Sequence, residues 1–98
     1  MNMQTLMQQA QKMQRDLTKK KDELNKKEFN GTSELVDVVF TGDKKLVSVN
    51  IKEADITSDD KEILEDMITI AVNDAMKKID KETESMLGAY GNQFGGLF

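Results

Sequence analysis

The first thirty residues carry apolar side chains at alternating steps of three and four. These positions are Met3, Leu6, Ala10, Met13, Leu17 and Leu24. The spacing places them on one stripe of an α-helix, in the heptad pattern of a helix that packs against another helix, and Lys20 interrupts the series. The chain has no Pro, and its first Gly is Gly31. The pattern therefore predicts one helix of about 25 residues, roughly 37 Å long.

After Lys27 the helical period gives way to strict alternation of apolar and other residues. The alternating apolar positions are Val36, Val38 and Phe40, and then Val47, Val49 and Ile51. The intervening Thr41-Gly42-Asp43-Lys44 has turn chemistry, so the two strands are predicted to form an antiparallel hairpin. A third short strand is predicted at Glu28–Ser33, because two strands alone are rarely stable in water.

A second long helix is predicted from Thr57 and Ser58, where hydroxyl N-caps precede carboxylates in the first turn. Its apolar positions form a wide band in the first half and a single stripe beyond Met76. We therefore expect the first half to be buried on more than one side, by the sheet and by either the first helix or a second subunit. Gly88 is the predicted helix end, and residues 89–98 are predicted to be a flexible tail.

These elements predict one α+β domain over residues 1–98, in which two long helices flank a three-stranded antiparallel sheet. The start of the first helix and the end of the second both point away from the sheet, so they can pair antiparallel as a projecting arm. The matching stripes predict that Leu17 lies near Val72, Met13 near Met76, Ala10 near Ile79 and Met3 near Met86.

Composition narrows the possible functions. A chain of 98 residues with 38% apolar residues would be marginal as a monomer and would gain burial by self-association. Cysteine and histidine are both absent, which excludes disulfides, thiolate or imidazole zinc ligands and His-based catalysis. We therefore predict a protein that is not an enzyme, with no catalytic residue, cofactor, metal ligand or small-molecule substrate. The chain shows no signal-peptide pattern and no long apolar run, which predicts a cytoplasmic protein without a membrane anchor.

The charge is unevenly distributed. The whole chain has a formal net charge of −4 and a pI near 4.8, which argues against nucleic-acid binding. However, residues 1–30 hold seven basic and four acidic residues, whereas residues 57–98 hold four and nine. The side of the first helix opposite its apolar stripe carries Gln8, Lys12, Arg15, Lys19, Asp22 and Lys26. Such a ridge can attract a polyanion locally, although a basic helix face is also common as a solvated surface.

The sequence resembles the YbaB/EbfC family of bacterial nucleoid-associated proteins over almost its whole length. The resemblance lies in MQTLMQQAQKMQ at residues 3–14, the Gly42 hairpin and DKEILEDMITIAVNDAMKK at residues 60–78. It implies a homodimer with tweezer-like helical arms that binds duplex DNA with limited sequence preference. Family members often end in a Pro-containing tail, whereas this chain ends in GNQFGGLF, so no tail function is inferred.

The family contacts DNA through its arm tips. By correspondence, and together with Lys19 of the same ridge, the candidate DNA-binding residues are Gln8, Lys12, Arg15, Lys19, Lys77, Lys78 and Lys81. We therefore predict a homodimeric protein of the bacterial cytoplasm and nucleoid that contacts phosphates of duplex DNA. The hypothesis requires these side chains to gather on the arms and to stay free of acidic neighbours.

Two other functions remain open from the sequence. Paired helical arms also resemble prefoldin-like chaperones, in which Met and Gln side chains at the arm tips would hold unfolded chains. An enzyme using Asp/Glu pairs is the weakest reading, because the chain has no His, no Cys and no Gly-rich phosphate loop.

Overall fold

The fold is known from a computed structural model that describes residues 2–94, with side chains as far as Ala89. Its elements, in chain order, are helix α1 (Met3–Lys26), strands β1 (Glu28–Thr32), β2 (Val36–Thr41) and β3 (Leu46–Ile51), a 3-10 turn (Ser58–Asp60) and helix α2 (Lys61–Phe94). The predicted α+β architecture is therefore confirmed, including the short strand at the start of the sheet.

The ends of the helices follow from local chemistry. The Asn2 side chain caps α1 by accepting the N–H of Thr5 at 2.7 Å, which satisfies one of the free donors of the first turn. Before α2, the N–H of Thr57 donates to the Asp60 carboxylate at 3.0 Å. Acidic residues at this helix start also complement the helix dipole, which accounts for them without a bound cation.

The three strands form an antiparallel sheet in the order β1-β2-β3. Phe29 pairs with Phe40 and Gly31 with Val38, and Val38 pairs in turn with Val49. A register shift lies between Val39 and Phe40. Because directly paired residues point to the same side of a sheet, one face of all three strands carries the apolar positions.

Helix α2 covers this face over β1 and β2, and the core lies between them. The buried apolar residues are Leu24, Phe29, Val36, Val38, Phe40, Ala71, Ala75 and Ile79. The helix approaches β1 closely because Gly31 has no side chain: a Cβ there would lie 2.7 Å from the Cβ of Ala75 and closer still to the Ala71 carbonyl oxygen. Small residues on both elements thus bring the helix onto the strand.

Strand β3 has no such cover. Within the described residues, α2 contacts β1 and β2 but not β3, and every residue of β3 is exposed. The molecule is also long and thin, 70 × 21 × 13 Å with a radius of gyration of 19.6 Å, whereas about 13 Å is typical of a compact domain of this size. A single chain therefore has a small core and much exposed apolar surface.

The predicted end of the second helix at Gly88 is wrong, because α2 continues to Phe94. Among the described residues, a Cβ at Gly88 would meet nothing within 4 Å, so this glycine serves no close contact with them. A glycine inside an exposed helix costs only about 1 kcal/mol relative to Ala, too little to end a helix that its neighbours favour. Residues 89–94 of the predicted flexible tail are thus helical, and residues 95–98 lie outside the described part of the chain.

The predicted alignment of the two helices is also wrong. Lys27 Nζ lies 2.6 Å from Glu82 Oε1, and Leu17 shares a cleft with Met86 and Leu87 rather than lying beside Val72. Two stripes with similar spacing can slide along each other by whole turns, and burial of Leu24 in the core sets the true offset. As a result the N-terminal part of α1 projects, with Met3 75%, Leu6 52% and Met7 58% exposed.

Candidate nucleic-acid interface

The outer face of α1 carries a row of exposed polar and basic side chains, which we call the basic ridge: Gln8, Lys12, Arg15 and Lys19. The helix period places them on one side, opposite the apolar stripe. Within the described residues, none of the three cations lies within ion-pair distance of a carboxylate. Their charges are therefore available to a ligand.

The end of α1 that projects is electrostatically positive for two further reasons. The first acidic residue of the chain is Asp16, so the outer half of the helix carries no carboxylate. The helix N-terminus also lies at this end, and the free N–H groups of a first turn give it a partial positive charge. Both features favour an anion at the projecting end.

The three predicted cations of α2 lie elsewhere, beside the sheet. Lys78 Nζ donates to the carbonyl oxygen of Asn30 at 2.7 Å and pairs with Asp74 at 3.2 Å. Asp74 also accepts the N–H of Thr32 at 3.0 Å. This hydrogen bond from Thr32, followed by the bond from Lys78, holds the pKa of the Asp74 carboxyl below its ordinary value. Lys78 is thus part of a polar clamp between α2 and β1.

Lys77 and Lys81 are exposed on α2, next to acidic side chains. They share a shallow surface depression with Asp80 and Glu84. Lys27, at the body end of α1, pairs with Glu82, the residue after Lys81. Lys12 lies about 22 Å from Lys27 along α1 at 1.5 Å per residue, and is therefore far from these lysines of α2. The structure therefore brings together the four candidate residues of α1 but does not place the three lysines of α2 with them in a single chain.

Helix α1 is attached to the body near its C-terminal end. Leu24 is buried in the core, and Lys27 meets both Glu82 and the ring of Phe29, 5.6 Å from its centroid. The N–H of Gly42 donates to the Lys27 carbonyl oxygen at 2.9 Å. The sequence marked Gly42 as a turn residue and gave no sign of this contact with the helix.

A second feature that sequence reasoning missed is the exposed apolar side of β3. Alternation of apolar and polar residues predicts a half-buried strand, yet Val47 is 53%, Val49 48% and Ile51 42% exposed. In the first half of α2, Ile63 and Ile70 are 47% and 49% exposed, and the clefts that α1 shares with α2 lie beyond this region, around residues 79–89. Large apolar side chains left open in this way commonly mark an interaction surface.

The described residues contain no group of three or more Asp, Glu, His or Cys side chains arranged to hold a metal ion. No helix among them is both long enough and apolar enough to cross a bilayer.

Together these features define a small helix–sheet–helix protein with a projecting basic helix. The sequence profile of the YbaB/EbfC DNA-binding family matches residues 1–94, and the chain belongs to this family. A nucleoid-associated protein of Ligilactobacillus salivarius is 46% identical over 99% of this chain and 95% of the relative. One of Enterococcus faecalis is 47% identical over 98% and 94%, respectively.

The fold has been seen before in a solved structure. An uncharacterised protein of Helicobacter pylori superimposes with a TM-score of 0.74, covering 97% of this chain and 99% of the other. Its sequence is 21% identical, so this likeness speaks for the fold alone. The names of the family and of the curated relatives describe DNA-binding and nucleoid-associated proteins rather than enzymes.

Proposed function

We propose that this protein binds duplex DNA in the bacterial cytoplasm, as part of the nucleoid, through the basic ridge of α1. The family is described as DNA-binding and the relatives are named nucleoid-associated. The observation that carries the proposal is the placement of Lys12, Arg15 and Lys19 on a projecting helix, without carboxylate partners in the described residues.

Binding by the ridge is electrostatic and discriminates little between sequences. Lysine and arginine neutralise phosphates and release counterions, a contribution that does not depend on the bases. Gln8 adds a neutral donor to the same face. The lysines of α2 have a secondary role, and Lys78 contributes least because Asn30 and Asp74 already hold its ammonium group.

The protein acts as a homodimer in this proposal. Among the described residues the buried core consists of eight apolar residues, and a core of that size gives a domain little stability on its own. The exposed side chains of β3, together with Ile63 and Ile70, provide the apolar surface for a second copy. Pairing would also link two weakly binding arms, so that the second arm binds the same duplex at high effective concentration.

Fluorescence anisotropy with a labelled duplex of random sequence tests the ridge. The variant Lys12→Glu/Arg15→Glu should lose affinity, and its plot of log affinity against log salt should be shallower. Two lost phosphate contacts per arm reduce the slope by roughly 2 per protomer. The matched control is Lys45→Glu/Lys61→Glu, which makes the same change in net charge on the exposed surface of the body. Equal binding by both variants, or a flat salt dependence of the wild type, would refute the proposal.

A second function is favoured by one observation, the exposure of Met3, Leu6 and Met7 at the arm tip. Flexible methionines on an open apolar surface suit the capture of unfolded chains, as in a prefoldin-like chaperone. This reading predicts that the protein suppresses aggregation of a model client and gives no DNA shift at low salt. If the wild type shifts DNA and the variant Lys12→Glu/Arg15→Glu does not, the result favours the DNA-binding function over the chaperone function.

A further inference from the structure

The turn between β2 and β3 presses against the last turn of α1 at Gly42. A Cβ built on Gly42 would lie 2.7 Å from the carbonyl carbon of Leu24 and 3.3 Å from the Cα of Asn25, and it would lie closer still to the Leu24 carbonyl oxygen. These are backbone atoms, which cannot swing aside as the end of a side chain can. Only glycine allows the turn and the helix to approach this closely.

The turn itself does not require glycine at this position. The residue with a positive φ is Lys44, at 66°, whereas Gly42 does not adopt the left-handed conformation. The hydrogen bond from the Gly42 N–H to Lys27 could be made by any residue except proline. The absence of a side chain at Gly42 therefore serves the contact with α1.

The other described attachments of α1 lie in its C-terminal part. They are the burial of Leu24, the exposed ion pair between Lys27 and Glu82, and the cleft that Leu17 shares with Met86 and Leu87 of α2. The turn also contacts α2 through an exposed ion pair, in which Lys44 Nζ lies 3.5 Å from the Asp80 carboxylate. A helix of 24 residues is thus held along its C-terminal part while its N-terminal part projects, and its direction depends on how the turn fits against it.

We propose that Gly42 is a positioning residue that sets the direction in which α1 leaves the body, and with it the position of the basic ridge. This inference rests on the DNA-binding function proposed above. Gly42 itself does not contact the nucleic acid in this proposal.

The geometry of a lever makes a small change at Gly42 large at the arm tip. Relieving the overlap requires a shift of about 1 Å at Leu24, roughly 4.5 Å along the helix from Lys27, which is a tilt of about 10–15°. Lys12 lies roughly 22 Å from this pivot and Met3 roughly 36 Å, so they would move by about 5 Å and about 8 Å. Each strand of duplex DNA carries one phosphate per about 3.4 Å of helix axis, so a displacement of this size along the axis would shift the ridge by about one phosphate or more.

The test compares Gly42→Ala with Gly88→Ala, whose added Cβ meets no atom of the described part of the chain within 4 Å. The chain has no cysteine, so cysteines introduced at Gln9 on the arm and Glu62 on α2 can carry spin labels. Labelled protein is diluted with unlabelled protein so that each measured distance lies within one chain. Gly42→Ala should shift or broaden this distance by several Å and lower duplex affinity about tenfold. Gly88→Ala should change neither.

A double-mutant cycle tests whether Gly42 acts through the ridge. If it does, Gly42→Ala should cost almost no affinity in the Lys12→Glu/Arg15→Glu background, because the two changes would then be non-additive. Far-UV circular dichroism and sedimentation check that fold and assembly persist. Loss of the whole fold in Gly42→Ala would overturn the positioning role. The role would also be overturned if Gly42→Ala changed neither the spin-label distance nor the duplex affinity while Lys12→Glu/Arg15→Glu lost binding. If the ridge variant binds like the wild type, the proposed DNA site has failed instead, whatever the distance shows.

Discussion

Replacing Val49 with lysine should separate the proposed homodimer. Val49 pairs with Val38, so both point to the face of the sheet that α2 covers over β1 and β2. Val38 is 1% exposed, whereas Val49, one strand further out, is 48% exposed. A second copy that covers this face would bury Val49, and Val49→Lys would place an ammonium group in that interface.

The size of the effect follows from the exposed half of the side chain. Burying a whole valine contributes roughly 1.5–3 kcal/mol, so covering half of it contributes about 1 kcal/mol. In a symmetric dimer the same residue is buried on both protomers, which gives about 2 kcal/mol, or a dissociation constant about 30-fold higher. The cost of burying an unpaired lysine adds to this figure.

Sedimentation equilibrium over a range of protein concentrations measures this dissociation constant. The matched control is Ser48→Lys, which introduces the same charge on the neighbouring residue of β3, on the opposite face of the sheet. Ser48 is also exposed and pairs with Val39. Equal dissociation constants for the two variants would show that this face does not form the interface. A wild-type protein that stays monomeric at all concentrations would refute the homodimer itself.

Two further predictions concern stability. In Asp74→Asn the clamp between α2 and β1 loses charge-assisted hydrogen bonds from Thr32 and Lys78, so the free energy of unfolding should fall by about 1 kcal/mol at pH 7. The pKa of Asp74 is lowered in the folded state, so its stabilisation is present above the ordinary carboxyl pKa and is lost as pH falls through the folded value. In urea melts the difference between the wild type and the variant should therefore shrink as the pH is lowered below the ordinary carboxyl pKa, and a difference that stays constant would contradict this account. Gly88→Ala should raise the stability of α2 by about 0.5–1 kcal/mol, and a lower melting temperature by circular dichroism would show that Gly88 has a role that the single chain does not reveal.

Elements defined by a local period were predictable from the sequence. The apolar stripe of α1 and the alternation in β2 and β3 depend on neighbouring residues, and their bounds agree with the structure within a few residues. The helix end at Gly88 was not predictable, because one glycine weakens a helix by less than the surrounding residues favour it. Helix α2 therefore continues through Gly88 and is 34 residues long.

Features that depend on how elements meet were harder to predict. The offset between α1 and α2 is decided by the burial of Leu24 and by the contact at Gly42, and neither changes the spacing of the two stripes. The candidate DNA-binding residues fall into two groups for the same reason. Those of α1 share one helix face, which the helix period alone predicts. Their predicted proximity to Lys77, Lys78 and Lys81 depended on an offset between the helices that the structure does not have.

The chain is divided into a basic arm and an acidic body, and this division explains how a protein with a negative net charge can still attract DNA. Charges in solution are screened over about 8 Å at physiological ionic strength, so the overall value of −4 matters less than the charges near the ridge. Glu84 is the last acidic residue of α2, and because Lys27 faces Glu82 it lies near the body end of α1, about 20 Å along the helix from Lys12. The acidic residues of α2 therefore do little to oppose an anion at the outer half of the arm, while they still repel one from the body. A polyanion is thus directed to the projecting helix by the same charge distribution that makes the whole protein acidic.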